Sequence, residues 1–169
     1  MSERESIATL AEALVSELLA ADQTVATAES CTGGWIAKSL TDVAGSSGCF
    51  GFGIVSYSNE AKVAMLGVGP AILEKHGAVS EHVVLEMARG ALKLSGADFA
   101  VAVSGVAGPD GGSDDKPVGT VWFGWAKRTS GGSDVQASKH LFQGDRGMIR
   151  EQTVVLALQG LRERLRQRG

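Results

Sequence analysis

Chemistry first finds room in this chain at a serine between a strand-like run and a helical pattern. Residues 24–28 (TVATA) read as a short strand and residues 35–40 (WIAKSL) as a helix, with Glu29-Ser30-Cys31-Thr32-Gly33-Gly34 between them. A side chain where a strand passes into a helix sits exposed at the sheet edge, beside the unpaired N–H groups of the helix start. Such amides can hold a phosphate or stabilise an oxyanion. Ser30 is placed to be a nucleophile, and Gly33 and Gly34 allow a substrate close approach. Cys31 and Thr32 compete for the same role, and Ser30 or Thr32 would serve equally well as a simple helix cap. Neither GxSxG nor the Walker A pattern is present, so no standard nucleophile elbow or P-loop applies.

A nucleophilic serine needs a base. His76, His82 and His140 fall in segments that read as helix or strand and form no evident triad. A lysine serves instead when burial lowers its pKa. Lys62 lies in Tyr57-Ser58-Asn59-Glu60-Ala61-Lys62, just after a predicted strand, and Tyr57 and Lys62 come close to Ser30 if that strand ends beside the glycine turn. The competing reading is an ordinary solvated helix lysine.

A third candidate segment is the loop at 104–119 (SGVAGPDGGSDDKPVG), which follows the most apolar strand pattern in the chain. Ligands of open α/β sheets gather beyond the carboxyl ends of strands. Asp110, Asp114 and Asp115 could bind a metal, but their spacing matches no EF-hand and they read as solvated loop acids. Arg146, at the start of the last helical pattern, offers a planar fork for a phosphate or carboxylate, or else pairs with Asp145 or Glu151.

The elements that must position these residues follow from periodicity. Ile7, Leu10, Ala11, Leu14 and Leu18 share one face of a helix predicted over 5–20. Residues 50–57 read as a strand, Asn59 as the cap of a short helix through Met65, Pro70 as the start of another, and Ser80 as the cap of a helix to about Ser95. Residues 99–104 (FAVAVS) have the pattern of a strand buried on both faces. Residues 119–127 and 134–142 form a predicted hairpin, and an amphipathic helix runs from about Arg146. Helix–strand alternation followed by a hairpin gives a three-layer α/β/α sandwich with a mixed sheet, in one domain over 1–169.

Bulk properties exclude several function classes. The formal charge is −3, with 19 acidic against 16 basic residues, so no basic excess invites nucleic acid. Arg162, Arg164, Arg166 and Arg168 fall where cations complement the end of a helix. Cys31 and Cys49 form neither a CxxC pair nor a zinc pattern. No signal peptide or membrane span is evident, and a cytoplasmic protein with reduced thiols is expected. Glycine numbers 23 of 169 without a period, clustering at turns that suggest a site built from loops.

Six blocks, in order over roughly residues 24–150, resemble the CinA C-terminal domain family. They are Thr27-Ala28-Glu29-Ser30-Cys31-Thr32-Gly33-Gly34, Tyr57-Ser58-Asn59-Glu60-Ala61-Lys62, His76-Gly77-Ala78-Val79-Ser80, residues 104–112, Lys116-Pro117-Val118-Gly119-Thr120-Val121, and Phe142-Gln143-Gly144-Asp145-Arg146. No motif residue argues against activity. The resemblance implies hydrolysis of the carboxamide of nicotinamide mononucleotide to nicotinate mononucleotide and ammonia, in pyridine-nucleotide recycling. It implies Ser30 as nucleophile, Lys62 as general base and Tyr57 as an assisting hydroxyl. Substrate binding is expected at Ser47, Ser104 and Arg146, with Thr32, Gly33, Gly34, Gly105 and Gly108 supplying close backbone. No metal or cofactor is implied. The family's longer members carry a further domain resembling molybdopterin-binding proteins, and this chain is expected to be a stand-alone deamidase. The alternatives are a nucleotide-binding regulatory module without turnover and a DNA-associated competence factor. A homodimer is expected, packed through short apolar helices and the late hairpin.

Overall fold

A strand buried on both faces needs a helical layer on each side, and residues 99–104 are all at most 2% exposed. The computed structural model describes residues 5–167. Its elements are α1 (Ile7–Ala20), β1 (Val25–Glu29), α2 (Trp35–Thr41), β2 (Phe50–Val55), α3 (Asn59–Leu66), α4 (Pro70–His76), α5 (Glu81–Ser95), β3 (Phe99–Gly105), β4 (Thr120–Thr129), β5 (Gly132–Leu141) and α6 (Arg146–Arg166), with a 3-10 turn at Ser46–Gly48.

The five strands form one sheet in the order β2-β1-β3-β4-β5. β1 pairs parallel with β2 and β3, while β3–β4 and β4–β5 are antiparallel. Phe99, Val101 and Val103 face one cluster, built with α1, α2 and α6. Ala100 and Ala102 face the other, where α5 contributes Val84, Met87, Ala88 and Ala91. This is the predicted α/β/α sandwich with a mixed sheet. Each fully buried Leu, Val or Phe contributes about 1.5–3 kcal/mol of transfer free energy. Alanine on the second face lets α5 lie close over the sheet.

The predicted hairpin is present, closed tightly by Thr129 pairing with Gly132. The cap of α3 is Ser58 rather than Asn59, because the Ser58 hydroxyl accepts the Ala61 N–H. Asn59 is the first helical residue instead. Arg162 and Arg166 do more than complement a helix end: both donate to the Glu17 carboxylate on α1, at 2.8 and 2.7 Å. Those bonds, Arg162 foremost, hold the Glu17 pKa below its ordinary value. The Arg164 guanidinium lies 4.1 Å from the centre of the Trp125 ring. Arg168 and residues 1–4 lie outside the described residues. No helix among them is long and apolar enough to cross a membrane.

The close approach of α3 to α5 depends on Gly90, where a Cβ would collide with the Leu66 carbonyl. An exposed helix glycine replaced by alanine usually gains about 1 kcal/mol. Here the sign inverts: Gly90→Ala is expected to cost about 1–3 kcal/mol by overpacking, read as a lower midpoint in urea denaturation.

Candidate active site

β1 lies between its two parallel neighbours, so the chain order reverses across it. That switch point opens a crevice beyond the carboxyl ends of the strands. Ser30 follows β1 there, and its N–H donates to the Val103 carbonyl on β3. Residues 56–58 leave β2 beside it, and Ser104 and Gly105 end β3 on the other side. Three strand ends thus converge on one cavity of about 330 Å³, lined by Ser30, Tyr57, Lys62, Ser104, Gly105 and Arg146 among others.

Lys62 is 1% exposed, carried on the buried face of α3. Its Nζ lies 2.9 Å from Ser30 Oγ, 2.8 Å from the Ser56 carbonyl and 3.2 Å from the Tyr57 carbonyl. No carboxylate is among these partners. Burial lowers the Lys62 pKa from its ordinary 10.5, and the Cys31 thiol opposes this more weakly. A neutral amine fits the three contacts well: two N–H groups donate to the two carbonyls, leaving the lone pair for the Ser30 hydroxyl proton.

The rival nucleophiles are occupied or suppressed. Burial pushes the Cys31 thiol up to about 11, so it stays protonated at neutral pH. The Thr32 hydroxyl is buried and donates to Glu29 at 2.6 Å. Glu29, fully buried, also accepts the N–H groups of Ile36 and Ala37 at 2.8 and 3.0 Å. These amides at the start of α2 are therefore already satisfied by the Glu29 carboxylate. Remaining candidates for an oxyanion lie earlier in the turn, at Cys31 and Thr32, or in the 105–108 segment.

Tyr57 is 62% exposed, and its hydroxyl accepts from Arg146 Nη2 at 3.3 Å. Arg146 Nη1 donates to the Gly108 carbonyl at 2.7 Å, which ties the loop after β3 to the start of α6. Asp145 caps α6 by accepting the Met148 N–H, leaving Arg146 unpaired with its neighbour's carboxylate. Thus Ser30, Lys62, Tyr57, Ser104, Gly105, Gly108 and Arg146 come together at the cavity. Thr32, Gly33 and Gly34 line a separate depression with Trp35, Lys38 and Arg150. Ser47 is exposed in the 3-10 turn before β2, at the opposite end of the sheet. A five-residue strand separates the two ends by about 17 Å.

Asn59 and Asp110 also line the cavity. The sequence pattern carries no sign of Arg150, which reaches from α6 to the Cys31 and Thr32 carbonyls at 3.0 and 3.1 Å and so fixes the nucleophile turn. Among the described residues no three His, Cys, Asp or Glu side chains gather to hold a metal.

The CinA C-terminal domain model matches residues 7–165. The nicotinamide-nucleotide amidohydrolase PncC of Escherichia coli K12 is 56% identical over 152 residues, covering 90% of each chain. That of Pseudomonas putida is 53% identical over 157 residues, covering 93% of this chain and 96% of its own. The crystal structure of a competence/damage inducible protein from Agrobacterium tumefaciens superposes with a TM-score of 0.90 at 44% identity, over 99% of this chain and all of that one. With a family match spanning almost every described residue, and relatives this similar over nine-tenths or more of their own length, the chain belongs to the CinA C-terminal domain family.

Proposed function

We propose that this chain is an amidohydrolase that converts nicotinamide mononucleotide to nicotinate mononucleotide and ammonia, and serves pyridine-nucleotide recycling in the cytoplasm. The observation that carries this reading is the buried Lys62 amine 2.9 Å from Ser30 Oγ, in contact with carbonyls alone. Relatives at 53–58% identity that are named nicotinamide-nucleotide amidohydrolases support the substrate.

The mechanism uses groups of the chain alone. Neutral Lys62 takes the Ser30 proton as Oγ attacks the carboxamide carbon. Backbone N–H groups at Cys31 or in the 105–108 segment hold the oxyanion. The Lys62 ammonium then donates its proton to the departing nitrogen, with the Tyr57 hydroxyl assisting, and ammonia leaves. Water attacks the acyl ester, Lys62 accepts its proton and returns one to Ser30, and the carboxylate product departs. Ser104 lies against the reacting end of the pocket, while Arg146 at the rim takes the 5′-phosphate.

The direct test is incubation of the purified protein with nicotinamide mononucleotide. Nicotinate mononucleotide and ammonia are expected in equal amounts. A nucleotide that binds yet returns unchanged would replace this reading with that of a binding module. For the phosphate contact, Arg146→Ala is expected to raise KM about tenfold or more with a smaller change in kcat, since a hydrogen-bonded charge pair is worth roughly 1.5–3 kcal/mol. Steady-state kinetics on the nucleotide and on its dephosphorylated riboside check this, because the riboside, lacking the phosphate, should sense the substitution much less.

A further inference from the structure

Lys62 holds its amine among neutral groups alone. Its Nζ is bonded to Ser30 Oγ and to the Ser56 and Tyr57 carbonyls, and among the described residues it joins no ion pair. The residue is 1% exposed, so water does little to compensate a charge there. An ammonium at this point has no counterion of its own. Amide hydrolysis makes one at the same place.

At the acyl stage the carbonyl carbon is bonded to Ser30 Oγ, which lies 2.9 Å from Nζ. When water displaces Oγ, the new carboxylic acid gives its proton to the neutral amine. One proton has moved, Ser30 keeps its hydroxyl hydrogen, and a carboxylate is left beside an ammonium. We propose that the Lys62 ammonium is a binding site for the carboxylate of the product, so that the enzyme retains product on acidification and releases it as the amine gives that proton to solvent. The proposal rests on the amidohydrolase reading. Substrate and product share the ring charge, the ribose and the phosphate, and differ only between carboxamide and carboxylate. The amide gains no ion pair from a protonated Lys62. Acid therefore acts on turnover twice, once by removing the base and once by tightening the hold on product.

Other charged or titratable groups around Lys62 are engaged or set apart. Asp110, the acidic residue of the cavity lining, is exposed on the loop after β3. Cys31 stays protonated at neutral pH, and the Tyr57 hydroxyl is bonded to Arg146. Glu29, behind the nucleophile turn, accepts from Thr32, Ile36 and Ala37. Glu86, on the α5 helix that packs against α3, accepts the Gly69 N–H, and Glu60 on α3 itself is exposed. Beyond α4, His76 and His82 stack on each other with ring centroids 3.7 Å apart, beside the Ala78 and Val79 that line the cavity.

Isothermal titration calorimetry tests the proposal, with nicotinate mononucleotide on the wild type and both nucleotides on Ser30→Ala, which cannot turn the amide over. Below the Lys62 pKa product affinity should be constant. Above it, affinity should fall about tenfold per pH unit, because only the protonated fraction is competent to bind. In that upper range each product molecule should bring about one proton with it, by linkage, read from the heats in buffers of different ionisation enthalpy. The amide should show neither the slope nor the uptake, and contributions from the shared ring and phosphate cancel between the two ligands. Lys62→Met should lose the difference between product and amide. A difference that persists in that variant belongs to another group, such as Asp110 or the histidine pair, and overturns the proposal. Should Lys62→Met misfold, proton uptake by Ser30→Ala decides, and an uptake no greater for product than for amide overturns it. Equal slopes for the two nucleotides overturn the proposal alone, whereas binding of neither at any pH overturns it together with the amidohydrolase reading.

Discussion

Ser30→Ala and Lys62→Met are each expected to lower kcat for nicotinamide mononucleotide by at least about a thousandfold, and the double variant little further, because nucleophile and base act as one unit. The reason lies in the distances. Lys62 Nζ contacts Ser30 Oγ and two carbonyls, so removal of the amine leaves the serine with no proton acceptor among the described residues. Methionine keeps much of the lysine's volume, and the fold should persist at a cost of about 1–3 kcal/mol for the two carbonyls left without donors. Steady-state ammonia release and urea denaturation measure the two effects separately.

Lys62 also links stability to pH. Its folded-state pKa is lowered from 10.5 by burial. Between that lowered value and 10.5 the unfolded chain binds more protons, so stability rises with pH across this window. Below the folded-state pKa both states are protonated and the dependence stops. Lys62→Met should remove this contribution while leaving those of the other titrating groups.

The second large effect is expected at Glu29. Its carboxylate, 0% exposed, accepts the Thr32 hydroxyl and the amides of Ile36 and Ala37. It performs from the preceding strand the task that a cap residue performs at the start of a helix. Glu29→Ala should cost roughly 3 kcal/mol or more, because two amides and a hydroxyl lose their acceptor inside the protein. Glu29→Gln keeps an acceptor oxygen and should cost less. Both changes act next to Ser30, so kcat should fall with stability, and the glutamine variant should recover part of each. Chemical denaturation and kinetics on the same preparations make the comparison.

Much of this arrangement is legible in the sequence where it rests on local pattern. The apolar runs of β1 and β3, the glycine turn after Glu29 and the helix from Arg146 fix the sandwich and the strand end that carries Ser30. Ser30 and Lys62 are individually ambiguous, since a capping serine and a solvated lysine have the same local sequence. Only their ordered motifs, through family resemblance, single them out. Glu29 and Arg150 escaped because their partners lie across the turn or on another helix, where no periodicity reports them. Ser58 and Asn59 are adjacent residues of equal capping tendency, so the choice of cap depends on backbone direction that sequence does not carry. Ser47 shows the reverse case: a residue expected from the resemblance to bind substrate, which its own fold places at the far end of the sheet from Ser30.

The measurement closest to the heart of the mechanism is the pH dependence of kcat/KM for nicotinamide mononucleotide, set beside the titration of Lys62 read from its ¹³Cε chemical shift. A general base must be unprotonated to act. The rate should therefore fall on acidification along a single-proton limb whose midpoint coincides with the Lys62 titration, below the ordinary 10.5. A rate that stays constant while Lys62 gains its proton, or a Lys62 that titrates at its ordinary value beneath full activity at neutral pH, would contradict the Ser30–Lys62 mechanism.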